Sequence, residues 1–83
     1  MQLSDRHVQI LVALAQGDTN ATIGRRLGIA LGTVKFHIKG LYADLNAHCA
    51  PQAVAFGYEL GILKIGKTQG IAYHEPPALW NLD

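Results

Sequence analysis

Between Gly32 and Leu45 the chain carries a spacing that an α-helix can use and a strand cannot. Val34, Ile38, Leu41 and Leu45 recur at intervals of 4, 3 and 4. At about 100° per residue they fall on one narrow stripe of a helix. Opposite that stripe lie Gly32, Lys35, Phe36, Lys39, Gly40 and Ala43. The outward face therefore holds two lysines, one aromatic and three small residues, with no acid. A helix with one apolar stripe cannot stand alone, so the rest of the chain must supply a surface for it.

Stop and start signals divide the remaining sequence into short helices. Ser4 suits the N-cap of a first helix, with Asp5 at the positive end of its dipole. Ile10, Leu11 and Leu14 share one face of that helix, and Gly17 is a natural stop. Thr19 or Asn20 can cap a second helix that carries Ile23 and Leu27 and ends at Gly28. The third helix follows Gly28-Ile29-Ala30 and runs to about Leu45. Residues 46–50 read as a loop, and Pro51 opens a fourth helix expected to continue to about Leu63. Four short helices joined by tight turns predict an all-α bundle, with a second helix crossing steeply onto the third. Residues 1–63 make up this domain. Residues 64–83, with two glycines and a Pro-Pro pair, read as a mostly irregular C-terminal tail with one short extended or helical piece.

Size and composition narrow the function classes. With 83 residues, 49% hydrophobic and 16% charged, the chain is globular and too short for a second core. No apolar run approaches the roughly 18 residues of a membrane-spanning helix, and the first ten residues lack the order of a signal peptide. Cys49 is the sole cysteine, which excludes an internal disulfide and a multi-cysteine zinc site; a reducing cytoplasm is the simplest setting. His7, His37, His48 and His74 fall in different elements, none with a ligand partner at metal-site spacing. Cys49 and His48 are loop neighbours without an orienting third group, so no metal, cofactor or catalytic role is expected.

A formal charge of +1 says little, but its distribution says more. No acid occurs between Asp18 and Asp44, whereas Arg25, Arg26, Lys35 and Lys39 all lie there. Either this is a solvated basic face or it is the electrostatic footprint of a nucleic-acid surface. The outward face of the third helix favours the second reading. Its lysines can neutralise phosphates or reach guanine edges, Phe36 can touch thymine methyls, and the small residues permit close approach. Thr33, in the first turn, can donate to a phosphate or act as a local cap.

These residues resemble the LuxR-type helix-turn-helix family, the output domain of many quorum-sensing and response regulators. The resemblance runs from Leu3 to about Leu63. It is carried by Leu14-Ala15-Gln16-Gly17, Thr19-Asn20, Arg25-Arg26-Leu27-Gly28-Ile29, Gly32-Thr33-Val34-Lys35-Phe36-His37-Ile38 and Gln52-Ala53-Val54. It implies a tetrahelical domain that binds double-stranded DNA as a dimer, its third helix in the major groove and its fourth at the dimer contact. By position, Thr33, Lys35, Phe36, His37 and Lys39 then face DNA, with Thr19 and Asn20 near phosphates. Such a regulator works in the bacterial cytoplasm, on the nucleoid.

The chain also departs from the family. His7 stands where Glu is common, Thr22 replaces another Glu, and Ala30-Leu31 replaces the usual Ser-Glu that opens the third helix. Ala43, Asp44 and Ala50 occupy positions that are commonly basic, which implies fewer phosphate contacts and a shallower salt dependence. Apolar residues are gained instead. The fourth helix carries two stripes, Ala53/Phe56/Gly57/Leu60/Leu63 and Val54/Ala55/Tyr58/Ile62; the second is expected to meet a partner protomer or the tail. Val8 and Val12 point away from the first helix's core face, and Leu31 adds another unexpected apolar group. The tail offers Ile65, Ile71, Tyr73, Leu79, Trp80 and Leu82 to cover such patches by folding back. The alternative is a protein partner bound through Val8, Val12, Leu31 or the tail, on a helix-turn-helix kept as an interaction module.

Overall fold

Each capping signal becomes a helix end in the computed structural model, which describes residues 3–65 and 72–73. Helix α1 spans Asp5–Ala15, and the Ser4 hydroxyl accepts from the His7 backbone N–H. Helix α2 spans Asn20–Leu27; Thr19 rather than Asn20 is its N-cap, accepting from the Thr22 N–H. Gly28 ends α2 in the left-handed conformation, and α3 follows over Leu31–Leu45. Helix α4 spans Ala50–Glu59 with Pro51 in its first turn, as expected for a residue that needs no N–H partner there. Gln52 reaches back to accept from the His48 N–H at 2.6 Å.

The stripe read from the third helix is the centre of the core. Val34 and Leu41 are fully buried, Ile38 and Leu45 nearly so, and they pack with Ile10, Leu11, Ile23 and Ala53. Helix α3 lies against all three other helices, and α1 also packs on α4. The architecture is an all-α, four-helix bundle, as the resemblance implies, with α2, a three-residue turn and α3 forming the helix-turn-helix. Gly24 sets how closely the turn approaches α2: a Cβ there would sit 2.9 Å from the Ile29 carbonyl oxygen and 3.4 Å from Val34 Cγ2.

The C-terminal part departs from expectation. Helix α4 stops at Glu59, about one turn before the expected Leu63. The cause is local, because Gly61 adopts a φ of 76° that helical residues do not. The Ile62 and Leu63 N–H groups both turn back to the Gly57 carbonyl, at 2.9 and 3.0 Å. Leu60, placed on the core stripe by the helical wheel, is consequently 56% exposed, while Leu63 is returned to the core at 2%. Beyond it, Lys64–Ile65 (β1) pairs antiparallel with Ala72–Tyr73 (β2), Lys64 opposite Tyr73 and Ile65 opposite Ala72. The single extended or helical piece expected in the tail is thus a two-stranded pair in the described residues.

Strand β2 lies against α1, the helix that carries Val8 and Val12. Val8 is buried and Val12 half-buried. The other tail residues expected to cover these positions, Ile71, Leu79, Trp80 and Leu82, lie outside the described residues, as does His74.

Candidate nucleic-acid interface

The helix that carries the candidate face is held by its buried stripe, so the opposite side of α3 is left to solvent. Thr33, Lys35 and Lys39 are exposed, and Phe36 is 72% exposed, the most exposed large apolar side chain among the described residues. Lys35 and Lys39 are one turn apart, with Phe36 beside them, and no acidic side chain interrupts the surface from Leu31 to Ala43. Leu31, at the first position of α3, is 45% exposed. The N-cap of α3 is Ala30, which makes no side-chain hydrogen bond. The Thr33 hydroxyl is therefore not the cap, and its exposed position leaves it available to a ligand.

Gly40 does not join this face. The His7 ring stands over it, so that a Cβ at Gly40 would come within 3.1 Å of Nε2. Exposed small residues on the face are Gly32, with open space around it, and Ala43. His37 is half-buried at the flank, its ring 5.8 Å from that of Phe36 at an interplanar angle of 66°.

At the start of α2 the two expected phosphate contacts are differently placed. Thr19 is exposed, but its hydroxyl already accepts from the Thr22 N–H at 3.1 Å and donates to Thr22 Oγ1 at 3.0 Å. Asn20, the first helical residue, is half-buried. The basic stretch is also less free than its sequence implies. Arg26 pairs with Asp18, Nη1 to Oδ2 at 3.1 Å, and Arg25 donates to Thr22 Oγ1 at 3.2 Å. Lys35 and Lys39 remain as the cations projecting from α3.

The expected second stripe of α4 is not a clean surface. Val54, Tyr58 and Ile62 are half-buried and pack against the domain's own core, and Ile62 lies beyond the end of the helix; Ala55 is exposed. Tyr42 is half-buried on the other side of α3. Burial, and then the neighbouring Cys49, push its phenol above the ordinary 10.0, so it stays neutral at physiological pH. Among the described residues no group of three histidine, cysteine or acidic side chains could hold a metal ion, and no helix is long and apolar enough to cross a membrane.

The order and spacing of the four helices are those the resemblance to the LuxR-type family implies. The model of the family described as bacterial regulatory proteins, luxR family, matches residues 1–56. The chain belongs to that family. Among its relatives, YhjB of Escherichia coli is 47% identical over 51 residues, 61% of this chain and 26% of the relative. The transcriptional activator protein EsaR of Pantoea stewartii subsp. stewartii is 38% identical over 61 residues, 74% of this chain and 24% of its own length. The transcriptional regulatory protein LiaR of Bacillus subtilis is 36% identical over 56 residues, 68% of this chain and 26% of its own length. The chain thus spans about a quarter of the length of the curated relatives it matches.

Within this LuxR-type domain, two of the departures noted in the sequence meet in space. His7 Nδ1 lies 2.9 Å from Asp44 Oδ2, bridging α1 and the last turn of α3. Thirty-seven residues separate them, and no pattern in the sequence links the two. The Asp18–Arg26 pair was likewise missed. There the signal was present, since an acid eight positions before a helical arginine, across a short turn, is within reach of it.

Proposed function

We propose that this LuxR-type domain binds double-stranded DNA as part of a transcriptional regulator, with α3 in the major groove. The observation that carries this reading is the exposed Phe36, set beside Lys35 and Lys39 on the side of α3 opposite its buried stripe. Lys35 and Lys39 contact phosphates or guanine edges, and Phe36 contacts a thymine methyl. Thr33 and Asn20 contact the backbone, His37 flanks the groove, and Thr19 reaches a phosphate only by sharing its hydroxyl with Thr22. The regulator acts in the bacterial cytoplasm, on the nucleoid, and uses no catalytic residue, metal or cofactor. A homodimer, with Val54, Ala55, Tyr58 and Ile62 at its contact, matches the two-fold symmetry of a palindromic site. The domain comprises residues 1–63, with 64–83 a C-terminal extension whose strand β2 lies against α1.

Fluorescence anisotropy with a labelled duplex at two salt concentrations tests the reading. Wild-type protein binds at low salt, and Lys35→Ala and Lys39→Ala each weaken binding and lower the salt slope by about 1. No binding at low salt, or unchanged binding in both variants, overturns it. One observation favours a second reading, in which the domain binds a protein of the transcription machinery: Leu31 is an exposed apolar residue in the first turn of α3. Capture of a protein partner that Leu31→Glu abolishes, by a domain that ignores DNA, would establish that alternative.

A further inference from the structure

A chain of contacts leads from α1 to the side chains at the edge of the exposed α3 face. His7 projects from the first turn of α1, and its side chain is 17% exposed. One ring nitrogen, Nδ1, meets the Asp44 carboxylate at 2.9 Å. The other side of the ring lies over the bare backbone of Gly40. The ring also meets that of His37 edge-on, with centroids 6.3 Å apart and planes at 73°. His37 in turn meets Phe36 edge-on at 5.8 Å. Asp44, His7, His37 and Phe36 are therefore linked in series.

We propose that His7, oriented by Asp44, is a positioning residue for His37 and Phe36, and so determines sequence preference without touching DNA. This rests on the reading that α3 faces DNA. The Nδ1–H donates to the carboxylate, which selects one ring orientation of His7. With that ring fixed over Gly40, its contact with His37 restricts the rotamers His37 can adopt. Phe36 is mostly in solvent, and its ring contact among the described residues is with His37. Ordering an exposed side chain in advance lowers the cost of immobilising it on binding. Asp44 is 46% exposed, and a pair so placed adds little to fold stability. Its effect falls on geometry and hence on base discrimination.

The test uses the full chain and a duplex selected by the wild-type protein from a randomised pool. Replacing each thymine in turn by deoxyuridine removes one methyl. At the position facing Phe36 the wild-type protein should lose about fourfold in affinity, the value of one buried methyl. His7→Ala and Asp44→Ala should lose that discrimination while keeping their affinity for random duplex. The double variant should behave like either single one. Asp44→Asn, which retains an acceptor for the His7 N–H, should restore the wild-type pattern. In the free protein, NMR side-chain couplings should show one rotamer for His37 and Phe36 in wild type and averaging in the two alanine variants. Thymine discrimination and rotamers unchanged in both alanine variants would overturn the proposal, as would additive effects in the double variant. If the wild-type protein binds no duplex, the DNA reading fails, and the NMR couplings alone decide whether His7 positions His37 and Phe36.

Discussion

The helix-turn-helix from Thr19 to Leu45 and the segment from Ala50 to Tyr73 use similar apolar content in different ways. In the first, α3 has one stripe of four buried residues and an opposite face left to solvent, so its orientation follows from the pattern. In the second, α4 is apolar nearly all round, and only Ala53 and Gly57 are buried within it. Leu63, outside the helix, completes that side of the core. An amphipathic helix declares its buried face. One that is apolar on both sides leaves the choice to chain geometry, here a left-handed glycine at position 61.

The sharpest way to break this contrast is to truncate leucines on each side of it. Leu41→Ala, on the α3 stripe, should cost about 2–5 kcal/mol in urea denaturation, and Leu63→Ala should fall in the same range despite lying outside any helix. A mild effect at Leu63 would mean that the C-terminal segment is not part of the cooperative core. Next come the two glycines that control chain direction. Gly24→Ala forces a Cβ against the Ile29 carbonyl and should cost about 1–3 kcal/mol. Gly61→Ala places an L side chain at positive φ and should cost about 1–2 kcal/mol. Both can be read from thermal melting, and a neutral Gly61→Ala would show that α4 can extend toward Leu63. The smallest effect belongs to Leu60→Ala, expected within about 0.5 kcal/mol because that side chain is exposed. A loss of 2 kcal/mol or more there would restore the helical-wheel assignment.

Legibility in the sequence follows the range of the interactions. Ser4, Thr19 and Gly28 act within one turn of their own positions, and the α3 stripe repeats within one helix; all were readable as spacing. The exposed face was readable as the complement of that stripe, which is why Lys35, Phe36 and Lys39 stand where they were expected. Gly40 was misplaced because what covers it, the His7 ring, comes from another helix. His7 and Asp44 were visible only as two unrelated departures, since nothing local couples residues 37 positions apart. The free positive charge was overestimated for the same reason: a charge count does not show that Arg26 is spoken for by Asp18.

The return of the chain at Gly57 also bears on how the domain is made. Gly57 leaves room for both Leu11 of α1 and Leu63; a Cβ there would come within 3.0 Å of Leu11 Cδ2 and 2.8 Å of Leu63 Cδ1. The first helix is thus sealed by the last apolar residue before the strands. While the chain is still being synthesised, the three N-terminal helices can form, but the surface around Leu11 stays open until Leu63 has left the ribosome. A chain cut short within α4 therefore lacks the side chain that closes the core beside Leu11, and the apolar surface so exposed is of the kind that promotes aggregation.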